Sequence, residues 1–579
     1  MSMRAFGRLA FAALCAGAWG AHAAGLPPQP EGATGFEARP AVRAPRAMVV
    51  TANPHATDAA VAVLAEGGSA VDAVIAAALV LNVVEPQSAG LGGGGFLLNF
   101  DAASRRISAW DGRETAPAEV DERWFLRPDG QAMGFFDAVV GGRAVGVPGL
   151  PKLLGEVHRR HGRLPWRRLF EAAIRLAGEG FPVSPRLHAL IARDPFLASD
   201  AEARERFYDA HGRPLAVGAT LRNPPLAELL HMVAEQGADV FYRGGIARDI
   251  VAAVRREPAA GKLAETDLAG YRVIERRPLC GAYRHWTVCG MPPPSAGGAS
   301  VLALLGMLER FDLPALDPDS AFTTHLFAEA GRLAYADRDA WYGDPPAMPL
   351  SPARLLDRRY LTARADGIAL DASMGFAQPG VPVSAPPATA AISPELPATT
   401  HVSVVDADGN AVALTASIEN AFGSRRMVHG LLLNNQLTDF SFRPEDARGK
   451  HPNRVGPGKR PLSSMAPTLV LAPDGRLHAV LGSPGGSAII NYVAATLVGL
   501  LAWQLPPDAV LARPHAGSRN GPTEVEDGPA GRELARRLGL FGHETVLREL
   551  TSGTSLIVRE GDAWVGAADP RREGKAAGY

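Results

Sequence analysis

Thr399-Thr400-His401 stands where a stretch rich in Pro and Ala, residues 375–398, gives way at once to the alternating pattern of a strand. A threonine at a strand start is ordinarily a strand former and nothing more. Its chemistry changes if the chain is cut before Thr399. The freed α-amino group, with an unperturbed pKa of about 7.7–8.0, then serves as base for the hydroxyl of the same residue, so that one residue supplies both nucleophile and base. Other nucleophile signals are missing: there is no G-x-S-x-G elbow, no Walker loop and no Cys with a paired His. Gly90, Gly92 and Gly95 satisfy G-x-G-x-x-G, but this run follows a helix pattern and opens a strand, the reverse of a dinucleotide loop, which excludes a Rossmann site. His158 and His161 enclose Arg159 and Arg160, as on a solvated helix face, and no His pair stands near the cysteines. No metal motif and no cofactor motif follows.

The elements that must position the threonine are mixed in type. From Asn53 the pattern is helical, with Ala59, Val63 and Leu64 on one face and Gly67-Gly68 as the stop; Ser69 then caps an almost wholly apolar helix from Ala70 to about Val84, which must be buried. A glycine run, Gly90 to Gly95, leads into a strand at Phe96–Phe100. Residues 150–370 read as mainly helical, interrupted by a hairpin at 270–290 that places Cys280 opposite Cys289. Residues 375–398 read as an exposed linker, with strands beyond it at Thr400–Asp406 and Ala411–Ile418 about the Asp408-Gly409 turn, and others near Leu431, Thr468–Leu471 and His478–Leu481. Helical layers around stacked strands make an α+β fold, a four-layer αββα sandwich, the natural architecture.

Composition sets the remaining bounds. With 59 Lys+Arg against 60 Asp+Glu in 579 residues, 47% hydrophobic and 21% charged, the chain is an ordinary globular protein with no electrostatic reason to bind nucleic acid. Arg4 and Arg8, the apolar stretch Leu9–Trp19 and Ala21-His22-Ala23 read as a cleaved signal over residues 1–23, hence export to a periplasm or beyond and no membrane anchor. The apolar stretch Ala488–Leu505 is broken by Asn491, Thr496 and Gln504 and reads as a core helix. Removal of the signal takes Cys15, and an oxidising compartment would join Cys280 to Cys289 across a short loop worth about 2 kcal/mol.

Several stretches together resemble the γ-glutamyltranspeptidase family over nearly the whole mature chain. They are Asn82-Val83-Val84-Glu85-Pro86-Gln87-Ser88-Ala89-Gly90, Pro292-Pro293-Pro294-Ser295, Thr399-Thr400-His401 through Asp408-Gly409-Asn410, Leu433-Asn434-Asn435-Gln436, Arg460-Pro461-Leu462-Ser463-Ser464-Met465, Gly482-Ser483-Pro484-Gly485-Gly486-Ser487 and Ala568-Asp569-Pro570-Arg571. The resemblance implies an N-terminal-nucleophile hydrolase whose precursor cuts itself between Ala398 and Thr399, giving subunits of residues 24–398 and 399–579 that stay together. It implies that Arg113 grips the α-carboxylate of a γ-glutamyl donor with Ser463 and Ser464, that Gln436 and Asp439 hold its α-ammonium, and that Gly485 and Gly486 offer amides to the oxyanion. Ser417 falls where the family has a threonine that hydrogen-bonds the nucleophile.

Two departures stand out. Glu419 occupies a position where many members have asparagine, and only Phe440–Leu462 is available where they have a long lid. The function implied is transfer of the γ-glutamyl group of glutathione through a Thr399 ester to water, amino acids or peptides. A glutaryl β-lactam acylase and a poly-γ-glutamate transpeptidase are alternatives with the same nucleophile, and a non-catalytic periplasmic binder of amino acids is an alternative of another class. With Asp439 and Glu419 both facing the ammonium, a glutaryl donor is expected to leave two carboxylates unpaired, at a cost of about 3–5 kcal/mol.

Overall fold

The structure, a computed structural model, describes residues 35–389 and 398–579. The expected signal at residues 1–23 and the linker residues 390–397 lie outside them.

Two seven-stranded antiparallel sheets stack face to face between helical layers, the αββα sandwich expected. The first sheet runs Lys575–Gly578, Met48–Thr51, Thr399–Val405, Ala411–Ser417, Gly94–Asp101, Arg106–Gly112, Ile274–Arg276. The second runs Val42–Ala44, Ala563–Ala568, Ser555–Glu560, Leu477–Gly482, Thr468–Leu471, Trp286–Gly290, Leu279–Tyr283. Both contain strands from before and after Thr399.

The period-2 alternation of strands decides which side chains meet. Val402, Val404, Val412, Leu414 and Leu97 face the helices Pro54–Ala65 and Ala70–Val84, and Val405, Ala411, Ala413, Phe96 and Leu98 face the second sheet. The same parity turns Thr399, His401 and Ser417 toward the second sheet. The helix Ala70–Val84 is buried along its whole length and starts on a Ser69–Asp72 capping box. On the far side the helices Gly297–Leu308, Ala321–Trp341 and Ile489–Leu501 cover the second sheet. Among the described residues no helix is long and apolar enough to cross a membrane.

The described part of the linker is largely exposed, as expected, with Phe376, Val381 and Val383 among its exposed residues. It is nevertheless tied down at one point, where Asp337 accepts the Gly380 amide at 2.7 Å and Trp341 donates to the Gly380 carbonyl at 3.0 Å, both from the helix Ala321–Trp341. Cys280 and Cys289 pair across the hairpin and are joined by a disulfide with Cα atoms 4.1 Å apart, at the edge of the second sheet.

Candidate active site

Thr399 opens a strand buried along its whole length, and its cross-strand partner is Ser417. Thr399 Oγ1 donates to Ser417 Oγ at 3.3 Å, and Ser417 Oγ donates to the Ala398 carbonyl at 2.7 Å. The hydroxyl pair therefore sits on the bond between Ala398 and Thr399. Gly93 supports Ser417 from behind: a Cβ there would meet the Ser417 carbonyl at 2.1 Å, so only glycine lets the two chains run this close. His401 shares the face of Thr399, but its ring is bonded to Thr415 Oγ1 at 2.8 Å and Ser403 Oγ at 3.1 Å. Burial pushes its pKa down to about 3, so it stays neutral, with both ring nitrogens tied within its own sheet.

Arg113 follows the end of the strand Arg106–Gly112 and is fully buried, which removes the alternative of a surface cation. Its backbone is clamped: the amide donates to Asp111 at 2.9 Å, and its carbonyl accepts from Tyr271 Oη at 2.7 Å and Arg460 at 3.0 Å. Its Nη2 donates to Asp439 at 2.5 Å and to the Leu462 carbonyl at 2.6 Å, while Nη1 has no hydrogen-bond partner. A buried guanidinium with one end unused is a ready receptor for a carboxylate. Glu114 Oε2 lies 3.7 Å from Nη1. That spacing would suit an ion pair, yet neither Glu114 oxygen is hydrogen-bonded and Arg113 already carries Asp439. Burial wins over the attraction of Arg113, and the Glu114 pKa is pushed up to about 8.

Asp439 and Gln436 stand on one short turn, Gln436–Asp439, where Gln436 Nε2 donates to Asp439 Oδ2 at 2.7 Å. Asn434 ties this turn to the glycine run by donating to the Gly92 carbonyl at 2.7 Å. Glu419 has a left-handed backbone, φ 77°, its amide donates to Ser417 Oγ at 2.8 Å, and its carboxylate accepts from Asn435. A strained non-glycine residue of this kind is held in place by its surroundings. Ser463 and Ser464 are buried in extended chain and cap no helix. The Pro292–Ser295 motif positions them, for the Ser463 amide donates to the Pro294 carbonyl at 3.2 Å and its carbonyl accepts from the Ala296 amide at 2.8 Å. Arg338 donates to Ser464 Oγ at 3.2 Å.

Thr399, Ser417, Glu419, Gln436, Asp439, Arg113, Ser463, Ser464 and Gly486 all line one cavity of about 240 Å³. Gly485 sits beside it, and Cys280 and Cys289 belong to the far sheet edge. Met465 and Ile489 complete the lining as an apolar wall, and neither was singled out by its sequence context. Glu114 was missed as well; a carboxylate next to an arginine looks like a surface pair until burial is known. None of the residues 440–462 lines the cavity, and part of that stretch is a short hairpin, Glu445–Asp446 with Gly449–Lys450. One expectation is corrected. Asp439 is paired with Arg113 and Glu419 with Asn435, so a donor without an ammonium does not strand two bare carboxylates.

His325, Glu329 and His543 also converge, but their hydrogen bonds account for them. His325 Nε2 meets the Ala369 carbonyl and His543 Nδ1 meets Thr523 Oγ1, both at 2.8 Å, and Glu329 Oε1 already accepts from Arg332 and Ser373.

The gamma-glutamyltranspeptidase family model matches residues 56–579. The chain belongs to the γ-glutamyltranspeptidase family. It is 36% identical to a glutathione hydrolase proenzyme of Escherichia coli K12, over 99% of each chain. It is 32% identical to the acylase ACY 1 proenzyme of a Pseudomonas species, strain SE83, over 88% of each. A cephalosporin acylase of Bacillus halodurans superposes with a TM-score of 0.82 at 27% identity, covering 93% of this chain and 97% of that one. Family membership thus fixes the fold, while the relatives include both glutathione hydrolase proenzymes and acylases, so the donor must be read from the pocket.

Proposed function

We propose that this chain is the precursor of an exported glutathione hydrolase and γ-glutamyltransferase. Residues 24–398 and 399–579 are the two subunits, made by attack of the Thr399 hydroxyl on the Ala398 carbonyl carbon. The Ala398–Thr399 C–N bond breaks as the departing nitrogen takes the proton of the Thr399 hydroxyl, and water hydrolyses the resulting ester to leave a carboxylate on Ala398 and a free N-terminal threonine. Ser417, bonded to both Oγ1 and the Ala398 carbonyl, polarises that carbonyl in the uncut chain. In the cut enzyme the α-amino group takes the Thr399 proton as the hydroxyl adds to the γ-carbonyl of glutathione. The Gly485–Gly486 amides hold the oxyanion, cysteinylglycine leaves with the proton, and water or an amine acceptor releases glutamate or a new γ-glutamyl compound.

One observation carries the choice of donor. The cavity is lined by Arg113, whose Nη1 makes no hydrogen bond, and by Ser463 and Ser464, with Asp439, Gln436 and Glu419 beside them, a set complementary to the α-carboxylate and α-ammonium of a γ-glutamyl group. An acylase acting on glutaryl groups is the second reading, supported by the acylase relatives, and it has no use for the acidic side of this set. The disulfide supports export, since such bonds persist in oxidising compartments. The test is a denaturing gel, N-terminal sequencing and side-by-side assay of γ-glutamyl and glutaryl anilides. Two chains, the smaller beginning Thr-Thr-His-Val-Ser, with the γ-glutamyl compound preferred, are expected. A fully active uncut chain refutes the nucleophile, and preference for the glutaryl compound refutes the donor.

A further inference from the structure

Gly485 has φ 136°, a backbone only glycine adopts comfortably. What fills the space beneath it is not solvent. A Cβ on Gly485 would fall 2.6 Å from Tyr492 Cε2 and 2.9 Å from Cδ2, so the edge of the Tyr492 ring abuts the Gly485 Cα. Tyr492 is buried, on the helix Ile489–Leu501 whose first residue lines the catalytic cavity. It stands about one turn on from Ile489, on the same side of the helix and also against Gly485, and lines a second cavity of about 290 Å³ together with Asn491, His515 and Leu550.

The ring is itself backed. His515 packs against it with centroids 4.4 Å apart, and His515 Nε2 is fixed by Ser552 Oγ at 2.6 Å, which in turn donates to Asp569. Burial, with Arg571 and Arg513 nearby, keeps the His515 pKa well below its ordinary value, so the contact is between two neutral rings tilted 43° to each other. On its other side the loop is held at Ser487, whose hydroxyl accepts from Arg519 at 2.7 Å and whose carbonyl accepts from Tyr335. Gly486, the glycine that faces the cavity, is suspended between these two supports.

We infer that Tyr492 is a positioning residue for the oxyanion loop: its ring edge, braced by His515, fixes the direction in which the Gly485 and Gly486 amides point toward the acyl oxygen on Thr399. The inference rests on the proposed acyl transfer and adds the group that aims its oxyanion donors. The absence of a Cβ at Gly485 then has a cause on the protein side as well as on the substrate side. Removing the ring leaves Arg113, Asp439 and the serine pair untouched, so donor binding should survive while the chemical step slows.

The experiment uses the mature two-chain enzyme, with rates expressed per cleaved small subunit so that incomplete maturation does not enter. Wild type must first turn over γ-glutamyl anilide; if it does not, the proposed function fails and not this inference. Tyr492→Phe keeps the ring and should acylate within about twofold of wild type. Tyr492→Ala should lose roughly 10- to 100-fold in acylation rate, part of what losing a whole oxyanion donor removes, with KM and the Kd for glutamate within about threefold. Millimolar phenol, sized for the space opened beside the second cavity, should restore part of the rate in Tyr492→Ala and leave wild type unchanged. Tyr492→Leu, which keeps bulk without the flat edge, should fall between and stands in should the alanine variant fail to fold. A wild-type rate in the alanine or leucine variant overturns the inference. So do equal losses in glutamate binding and rate, or a phenylalanine variant as slow as the alanine one.

Discussion

Glu114→Gln isolates the electrostatics behind the donor's carboxylate site. Glu114 is fully buried, its oxygens make no hydrogen bond, and its pKa rises from the ordinary 4.5 to about 8. A carboxyl raised in the folded state stabilises the fold fully below its unfolded pKa, and that contribution is lost as pH climbs toward the folded value. The window is therefore pH 4.5 to 8. At about 1.4 kcal/mol for each tenfold in proton affinity, the loss across it is about 5 kcal/mol, an upper bound because the buried site can relax or admit water. Glutamine mimics the protonated carboxyl in shape and cannot ionise. The variant should match wild type near pH 5 and become progressively the more stable of the two up to pH 8. The assay is the midpoint of thermal unfolding of mature enzyme at pH 5, 6, 7 and 8, read as the difference between the two proteins, which cancels every other titrating group. Parallel curves over the whole range would refute a protonated Glu114 and would mean that Arg113 carries two ionised carboxylates.

Thr399→Ala should remain one chain and be inactive, checked by gel and anilide assay; activity in the uncut variant would remove the nucleophile. Glu419→Ala should lower the preference for γ-glutamyl over glutaryl anilide roughly tenfold or more, the value of about one charge-assisted contact at 1.5–3 kcal/mol, read in kcat/KM; an unchanged ratio means that Glu419 does not sense the ammonium. Replacing Cys280 and Cys289 by serine should cost about 2 kcal/mol, visible in the unfolding midpoint, because the closed loop spans only 9 positions. Turnover should be unaffected, since that hairpin lies at the far edge of the second sheet.

The parts of this molecule written in local pattern were legible. Ser69 and the apolar run after it give the helix Ala70–Val84, Asp408-Gly409 gives the turn between the two central strands, and the hairpin about Arg284-His285 sets Cys280 opposite Cys289. Within the hairpin about Asp408-Gly409 strand parity turns Thr399 and Ser417 the same way, but nothing in the sequence states which strands flank that hairpin or which sheet it faces. The same limit hid the clamp on Arg113. Asp111, Tyr271 and Arg460 act together across 349 positions of chain, and each by itself looks like an ordinary polar residue. The exposed linker was legible in composition, but its anchoring at Gly380 was not, because those contacts come from Asp337 and Trp341. Asp439 was assigned to the ammonium without its bond to Arg113, since a charge count of the pocket cannot tell which groups neutralise each other before a ligand arrives.

The interleaving of the sheets explains how the proposed cut before Thr399 would leave the fold intact. Thr399–Val405 pairs with Met48–Thr51 on one edge and Ala411–Ser417 on the other, and Ala411–Ser417 pairs in turn with Gly94–Asp101. Breaking the bond before Thr399 severs no ladder hydrogen bond, because the first paired residue is Thr399 itself. Apolar side chains from both sides of the cut share the same two cores, so the segments remain bound by the burial that folded the precursor. What the proposed cut would change is local: a backbone amide at the head of a buried strand would become an amine, fixed beside its own hydroxyl by a sheet already complete in the uncut chain.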